Sequence, residues 1–310
     1  MSSTRNDMII ITGPTASGKT GFAALLASNT GGEIISADSR QVYRGMNIGT
    51  GKDYDDYIVD GRQVPYHLID IVDPGYKYNV FEYQRDFLKV YRQLKDKDVL
   101  PVVCGGSGMY IDSIVSGYRL IKVPVNKEIR EELEDKSLAD LTEILSSYKM
   151  LHNKTDVDTR KRAIRAIEIE EYYRNNPDIN DEFPKLRPLI LGISFDREVR
   201  RRRISKRLET RLKSGLVEEV RELLDSGVSS DDLIYYGLEY KFITCYLLGE
   251  IGYDEMRHGL ETAIHRFAKR QMTWFRGMER RGITIHWIDG ELDNKDKLYI
   301  AIDLLKSKSE

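Results

Sequence analysis

The residues Gly13-Pro14-Thr15-Ala16-Ser17-Gly18-Lys19-Thr20 fit the pattern G-x-x-x-x-G-K-[ST] at every fixed position. Such a loop turns several backbone N–H groups towards one point, where an anionic oxygen is stabilised. Lys19 adds a full positive charge, and the Thr20 hydroxyl is placed to reach a magnesium ion. The pattern predicts a bound di- or triphosphate. It does not say whether that group belongs to a nucleotide or to another pyrophosphate ester. Asp38 is the second residue that could do chemistry. It ends an apolar run, so it belongs at a strand tip, where a carboxylate can hold magnesium or accept a proton. Asp38 or Ser39 could equally cap a following helix. Gln41 and Tyr43 come next: an amide suited to a nucleobase edge and a ring suited to its face, although both are also ordinary structural residues.

These groups need elements to hold them. Met8–Ile11 reads as a short buried strand, and the residues from Gly21 to Ala27 read as a helix. That order puts the glycine-rich loop at a helix N-terminus, where the helix dipole also favours an anion. Glu33–Ala37 and Leu100–Cys104 are further strand candidates. Between them Val80, Tyr83, Phe87, Val90, Tyr91 and Leu94 recur at helical spacing. Alternating strands and helices predict a parallel sheet covered by helices on both faces, with its ligand beyond the C-terminal strand ends. The loop at Gly13–Thr20, Asp38-Ser39 and Gly105-Gly106-Ser107-Gly108 all follow strands, so they are expected to converge. Residues 120–184 change character: helical in period, heavily charged, and closed by Pro184 and Pro188. They read as a helical insertion in a core formed by 1–119 and 185–310. Leu189–Ser194 reads as a buried strand returning to the sheet, and Thr284–Ile288 as a last strand.

The chain has 310 residues, 41% apolar and 32% charged, with a formal net charge of −2. That balance fits an ordinary globular core under a solvated surface. No apolar run approaches the ~20 residues of a membrane span, and Met1–Asp7 has the character of neither a signal nor a transit peptide. Cys104 and Cys245 lie far apart and outside any metal-ligand spacing, which reads as a reduced, cytoplasmic chain. The net charge hides clusters: Arg197, Arg200–Arg203, Lys206, Arg207 and Arg211; Arg266, Lys269, Arg270, Arg276, Arg280 and Arg281; and Arg160, Lys161, Arg162 and Arg165. Each could be a solvated helix face. Three of them beside a phosphate loop point to a large anionic partner.

The stretch Asp38-Ser39-Arg40-Gln41-Val42-Tyr43-Arg44-Gly45-Met46-Asn47-Ile48-Gly49-Thr50-Gly51-Lys52 is more specific than its parts. Taken with Gly13–Thr20 it closely resembles the tRNA dimethylallyltransferase (tRNA isopentenyltransferase) family, whose pattern here is D-S-x-Q-x-Y-x-G-M-x-I-G-T-x-K. Val103-Cys104-Gly105-Gly106-Ser107-Gly108-Met109-Tyr110 is similar to the family's V-G-G-T-x-L-Y. Arg162-Ala163-Ile164-Arg165-Ala166-Ile167-Glu168-Ile169 is similar to its R-x-x-R-A-L-E-V. Arg203-Ile204-Ser205-Lys206-Arg207-Leu208, Gly215-Leu216-Val217-Glu218-Glu219-Val220, Tyr246–Ile251 and Ala268–Arg276 follow in the family's order. The resemblance covers residues 8–290.

It implies a P-loop NTPase-like α/β core with a helical insertion, and a prenyl transfer. The loop residues Gly13, Pro14, Thr15, Ala16, Ser17, Gly18, Lys19 and Thr20 would hold the diphosphate of dimethylallyl diphosphate, with Mg²⁺ at Thr20. Asp38 matches the general base, and Ser107 and Arg207 join it as catalytic residues. The acceptor would be the adenosine at position 37 of tRNA, swung out of its stack. Asp38, Ser39, Arg40, Gln41, Lys161, Arg162, Arg165, Tyr240, Lys241, Lys269 and Arg270 would contact the tRNA, with the insertion closing over the anticodon stem-loop. Family analogy suggests a monomer. The sequence departs from the pattern at Ser107 (Thr in the family), Glu239 (Gly) and His265 (Thr). Three other readings stand beside this one. They are an adenylate isopentenyltransferase acting on free AMP or ATP, a P-loop kinase of a small metabolite using Asp38 as base, and an RNA-binding protein with a degenerate loop.

Overall fold

The computed structural model describes residues 6–150, 155–177 and 183–307. Its strands are β1 (Met8–Thr12), β2 (Glu33–Ser36), β3 (Ile58–Val59), β4 (Arg62–Gln63), β5 (Tyr66–His67), β6 (Pro101–Gly105), β7 (Pro188–Ser194) and β8 (His286–Asp289). Its helices are α1 (Lys19–Thr30), α2 (Val80–Asp96), α3 (Gly108–Val115), α4 (Lys127–Leu133), α5 (Leu138–Tyr148), α6 (Arg160–Asn175), α7 (Arg197–Lys213), α8 (Leu216–Asp225), α9 (Ser230–Tyr236), α10 (Leu238–Leu247), α11 (Tyr253–Arg280) and α12 (Asn294–Ser307).

Six strands form a sheet in the order β5-β2-β6-β1-β7-β8, and each neighbouring pair is parallel. All five residues of β1 are buried. The run Met8-Ile9-Ile10-Ile11-Thr12 has no polar face because helices cover both sides of a parallel sheet. Ile9, Ile11, Val102, Leu189 and Leu191 pack with Phe22 and Leu26 of α1 and Ala301 of α12, each large side chain contributing about 1.5–3 kcal/mol by leaving water. The register then aligns the strand tips. Ser36 pairs with Cys104, and Cys104 with Ile11, so the segments following β1, β2 and β6 leave the sheet along one edge. Residues 13–20, Asp38 and Ser107 share that edge for this reason.

The expected strands are present, with β2 ending at Ser36; the Ala37 N–H still donates to the Cys104 carbonyl at 2.7 Å. The hairpin β3–β4 and the edge strand β5 are not among the sequence expectations, since two residues cannot display a period. The predicted periodic helix is α2. It starts at a capping box in which Asn79 accepts from the Phe81 and Glu82 N–H groups and Glu82 reaches back to the Asn79 N–H. In α11 the buried residues Met256, Leu260, Ile264, Ala268, Met272 and Phe275 recur every three or four positions.

The chain divides into two compact units, Met1–Tyr118 with Lys185–Glu310, and Arg119–Pro184. The second unit contains α4, α5 and α6 around a small core of Leu133, Leu141, Leu145, Ala163, Ala166 and Ile167. Glu168, 1% exposed, ties this unit together: it accepts from the Asn126 N–H at 2.6 Å, from Arg130, and from Arg165.

Candidate active site

The loop between β1 and α1 is built for an anion. Gly18 caps α1 with φ +74°, a left-handed conformation that suits glycine. It supplies no side-chain acceptor to the helix, and the first turn has no acidic residue. The N–H groups of that turn are thus left for a ligand. The Ser17 hydroxyl is buried and has no hydrogen-bond partner. Burial holds the Lys19 ammonium below the usual lysine pKa, opposed by the charge of Asp38 among others. A buried ammonium and an orphaned hydroxyl at a helix start are what a bound diphosphate would satisfy.

Gln271 of α11 holds the loop against the turn after β6. Its Oε1 accepts from the Thr15 N–H at 2.9 Å, and its Nε2 donates to the Gly106 carbonyl at 2.8 Å. In the sequence Gln271 carries no signal beyond its place inside Ala268–Arg276.

Asp38 follows β2 and turns back on itself: Oδ1 accepts from the Arg40 N–H at 2.9 Å. The helix-cap reading of Asp38 and Ser39 does not hold, because residues 39–52 run as successive turns without an α-helix. Ser107 lies at the neighbouring strand tip. Its Oγ accepts from the Ser39 N–H at 2.9 Å, and its own N–H donates to the Ala37 carbonyl at 3.2 Å. The Ser107 hydroxyl keeps its proton free to donate, and this double bridge fixes the spacing between the Asp38 and Gly105–Ser107 turns.

Arginines of α7 close the loop from the other side. Arg203 Nε donates to the Ala16 carbonyl at 2.9 Å. Arg207 pairs with Asp53 at 3.0 Å and reaches the Thr15 hydroxyl at 3.4 Å. Arg211, one turn further, lies 3.8 Å from Glu239, and its Nη2 is buried without a partner. Burial lowers the pKa of Arg211 and raises that of Glu239, each opposed by the other's charge. Gly51 admits this pair of guanidinium groups, since a Cβ there would collide with both.

A cavity of about 330 Å³ is lined by Lys19, Thr20, Asp38, Ser107, Arg207 and Arg211 together with Ser39, Arg40, Gln41, Tyr236, Phe267 and Arg270. A second, of about 460 Å³, is lined by Ser17, Gly18, Asp53, Asp56, Arg203 and Lys206. Lys19, Thr20, Arg207 and Arg211 line both. The cations at the phosphate loop therefore face two spaces, and only the first contains Asp38. Cys104 is also in the wall of that first cavity. Burial pushes its thiol up to about 12, so thiolate is negligible at pH 8. Iodoacetamide at pH 8 is expected to leave Cys104 unmodified in the folded protein and to label it after unfolding in guanidinium; peptide mass spectrometry distinguishes the two. Rapid labelling of the folded protein would contradict this environment.

Other expected contacts are differently disposed. Gln41 lines the cavity, but its amide is engaged on both sides: Oε1 accepts from the Ser36 hydroxyl at 3.0 Å and Nε2 donates to the Gly51 carbonyl at 3.1 Å. Tyr43 is not at a base's face. It is fully buried, its ring 4.5 Å from that of Tyr236, because the turns after β2 fold back into the core. Tyr240 also lines the cavity, as a largely buried residue. It is 2% exposed and its hydroxyl donates to Glu219 at 2.8 Å, which fixes the ring in the cavity wall. Glu219 in turn accepts from the N–H groups of Asn47, Ile48 and Gly49 at 2.8, 2.6 and 3.0 Å. This carboxylate, together with Lys52, which donates to the Tyr43 carbonyl and to Asp70, holds the turns that carry Gln41. Neither was singled out as a site residue. Glu239 is half-buried beside Arg211 and lines the same cavity.

Of the basic residues, Lys241 and Lys269 are exposed, and the Arg270 guanidinium lies 5.9 Å from the Phe267 ring centre while lining the cavity. In the helical unit Lys161 is exposed and Arg162 pairs with Asp158 at 3.0 Å. The Arg165 guanidinium is engaged with Glu168 and the Val123 carbonyl, with its side chain 37% exposed.

A parallel sheet with a phosphate loop after β1, a carboxylate after β2, a serine after β6 and arginines from α7 defines a P-loop α/β protein that handles a diphosphate. The chain belongs to the IPP transferase family, whose model matches residues 41–278. That match starts just past Asp38, and the individual relatives extend it over the loop. The chain is 65% identical over 300 residues to tRNA dimethylallyltransferase 2 of Bacteroides fragilis, covering 97% of this chain and 98% of that protein. It is 63% identical to tRNA dimethylallyltransferase 2 of Phocaeicola vulgatus, over 98% and 99% of the two chains. The solved full-length tRNA isopentenylpyrophosphate transferase of Bacillus halodurans superposes with TM-score 0.71 at 29% identity, over 97% of each chain. A eukaryotic dimethylallyltransferase acting on tRNA shares the fold, with TM-score 0.79 at 18% identity, over 97% of this chain and 79% of that one.

Proposed function

We propose that this chain transfers the dimethylallyl group of dimethylallyl diphosphate to N6 of the adenosine at position 37 of tRNA, releasing pyrophosphate. The observation that carries the reading is one cavity that joins the Lys19 loop and Arg207 to Asp38 and Ser107. The names of the relatives and of the solved neighbours agree with it. The adenine N6 attacks C1 of the dimethylallyl group as the C1–O bond breaks, and the bonding pair leaves with the pyrophosphate. The N6 proton passes to Asp38, whose Oδ1 is already steadied by the Arg40 N–H. Charge growing on pyrophosphate falls on Lys19, Arg207, the Ser17 hydroxyl and the N–H groups at the start of α1, placed there in advance.

Magnesium fits this site only as a partner of the diphosphate. Among the described residues no cluster of three or more His, Cys, Asp or Glu side chains could hold a metal. The donors lining the loop are oxygens, namely the Thr20 hydroxyl and Asp38, with Asp53 and Asp56 in the neighbouring space. A hard cation that keeps several waters and binds substrate phosphates suits that set. Thr20 would hold it, and when bound it supplies neutralising charge to the leaving group.

The tRNA reading rests further on Arg40, Lys241, Lys269 and Arg270 in the main unit and on Lys161 and Arg162 in the helical unit, all basic and none buried. Binding of an anticodon stem-loop is expected to weaken roughly twenty- to hundredfold between about 50 and 200 mM salt, for three to five phosphate contacts. Fluorescence anisotropy measures this, and affinity indifferent to salt would remove the basic residues from the account. Family analogy points to a monomer. No helix among the described residues is long and apolar enough to cross a membrane. The reaction itself is tested by offering labelled dimethylallyl diphosphate and Mg²⁺ with tRNA, and separately with AMP and ATP. Label in tRNA alone supports the reading. Label in AMP or ATP moves the chain to the free-nucleotide reaction, and magnesium-dependent ATP binding without prenyl transfer moves it to a kinase.

A further inference from the structure

An aromatic column runs outward from the core past the Asp38 cavity, which its middle ring, Tyr236, lines. Tyr43 is fully buried, Tyr236 is 3% exposed with its ring 4.5 Å from that of Tyr43, and Tyr235 is 48% exposed with its ring 5.8 Å from that of Tyr236. Two cations attend the outermost ring. The Arg40 guanidinium carbon lies 5.7 Å from the centre of Tyr235 and 5.8 Å from that of Tyr236, and Lys77 Nζ lies 5.4 Å from Tyr235. Arg40 and Tyr236 line the cavity, and Arg40 is two residues from Asp38. The Lys77 side chain is 64% exposed, and the Asp232 carboxylate is 3.8 Å away. The core needs none of this outer layer: Tyr43 and Tyr236 already pack the turns after β2, and the Tyr236 hydroxyl is engaged by the Gly75 N–H.

We propose that Tyr235, with Arg40 and Lys77, is the subsite for the nucleotide adjoining the acceptor adenosine. The inference rests on the tRNA reading above and deepens it. An adenosine that swings into the Asp38 cavity leaves its neighbour in the single strand with an uncovered face. The exposed Tyr235 ring, next to the cavity-lining Arg40 and Tyr236, covers that face by stacking, which every base permits and which supplies affinity without reading the base's edge. The phosphate between the two nucleotides must then pass the rim, where Arg40 and Lys77 place positive charge. The subsite thus holds the strand in register, so that the adenosine enters at the depth of Asp38. It tolerates exchange of the neighbouring base and favours purines through their larger stacking surface.

The test uses the intact protein and anticodon stem-loops carrying 2-aminopurine at either position next to the acceptor adenosine. Wild-type protein is expected to quench the fluorophore at one of the two positions and to prenylate the stem-loop. Tyr235→Leu is expected to abolish that quench and to raise KM for the stem-loop roughly tenfold, with KM for dimethylallyl diphosphate unchanged. Tyr235→Phe, which keeps the ring, is expected to restore both signals. Thermal midpoints of the variants show that the fold is intact, as expected for a half-exposed side chain. If wild type prenylates the stem-loop while Tyr235→Leu keeps the quench and the wild-type KM, the subsite is wrong and the tRNA reading stands. If wild-type protein prenylates no RNA, the tRNA reading falls and takes the subsite with it.

Discussion

Asp38→Asn is expected to lower turnover about a hundredfold or more and to leave the affinity for pyrophosphate and dimethylallyl diphosphate close to that of wild type. The asparagine variant separates chemistry from structure better than alanine. The carboxylate has one structural bond, from the Arg40 N–H to Oδ1, and an asparagine carbonyl can accept it equally well. The turn over residues 38–40 is therefore kept, and with it the placement of Ser39 and Arg40 at the cavity. What is lost is a base for the N6 proton. The proposed diphosphate contacts, Lys19, Thr20 and Arg207, come from another part of the wall, so ligand binding is expected to change little. Single-turnover kinetics with calorimetry of pyrophosphate binding measures both quantities. Full turnover in Asp38→Asn would remove Asp38 as the base. A parallel collapse of pyrophosphate affinity would assign it to binding.

Lys19→Met is expected to show the converse, with pyrophosphate affinity lost and kcat lowered by about 10²–10³, the usual cost of removing one preorganised charge-stabilising group. Burial holds the Lys19 ammonium below its ordinary pKa. The sign for stability follows from this. With both states protonated at low pH, the buried charge disfavours the folded protein, and the penalty is relieved as pH rises from the folded pKa towards the unfolded one. Methionine fills similar space without the charge, so the ligand-free variant is expected to melt no lower than wild type at pH 7. Pyrophosphate raises the wild-type melting temperature by mass action, and that rise is expected to vanish in Lys19→Met. Differential scanning calorimetry with and without pyrophosphate gives both results. A variant that melts well below wild type without ligand, yet still responds to pyrophosphate, would make Lys19 a structural residue.

The local patterns that the chain carries in full were legible. The G-x-x-x-x-G-K-T loop, the apolar runs of β1, β6 and β7 and the period of α2 each contain their own signal, and parallel pairing then places Asp38 and Ser107 beside the loop. The fit of one segment to another was not legible. Gln271 reaches the loop from 256 residues away, and Glu219 gathers three backbone N–H groups from more than 160 residues away. A lone glutamine or glutamate on a charged helix gives no hint of such a partner. The burial of Tyr43 and Tyr240 was illegible for a related reason. A tyrosine among polar residues can face solvent or core, and the hydroxyl partners that decide it, Glu219 for Tyr240 and the Tyr78 N–H for Tyr43, lie in other elements. Arg165 stood in a basic cluster, but Glu168, three residues on, engages it. Charge clustering alone does not separate a free cation from a paired one.

The most direct measurement is nucleotide-resolution mapping of the product. A tRNA with adenosine at position 37, and the same tRNA with guanosine there, would be incubated with dimethylallyl diphosphate and Mg²⁺, digested with nuclease and sequenced by mass spectrometry. The account predicts one dimethylallyl group on the base of adenosine 37 in the first tRNA, none in the second, and none in either with Asp38→Asn in single-turnover time. A dimethylallyl group elsewhere in the tRNA, or equal modification of both tRNAs, would contradict it.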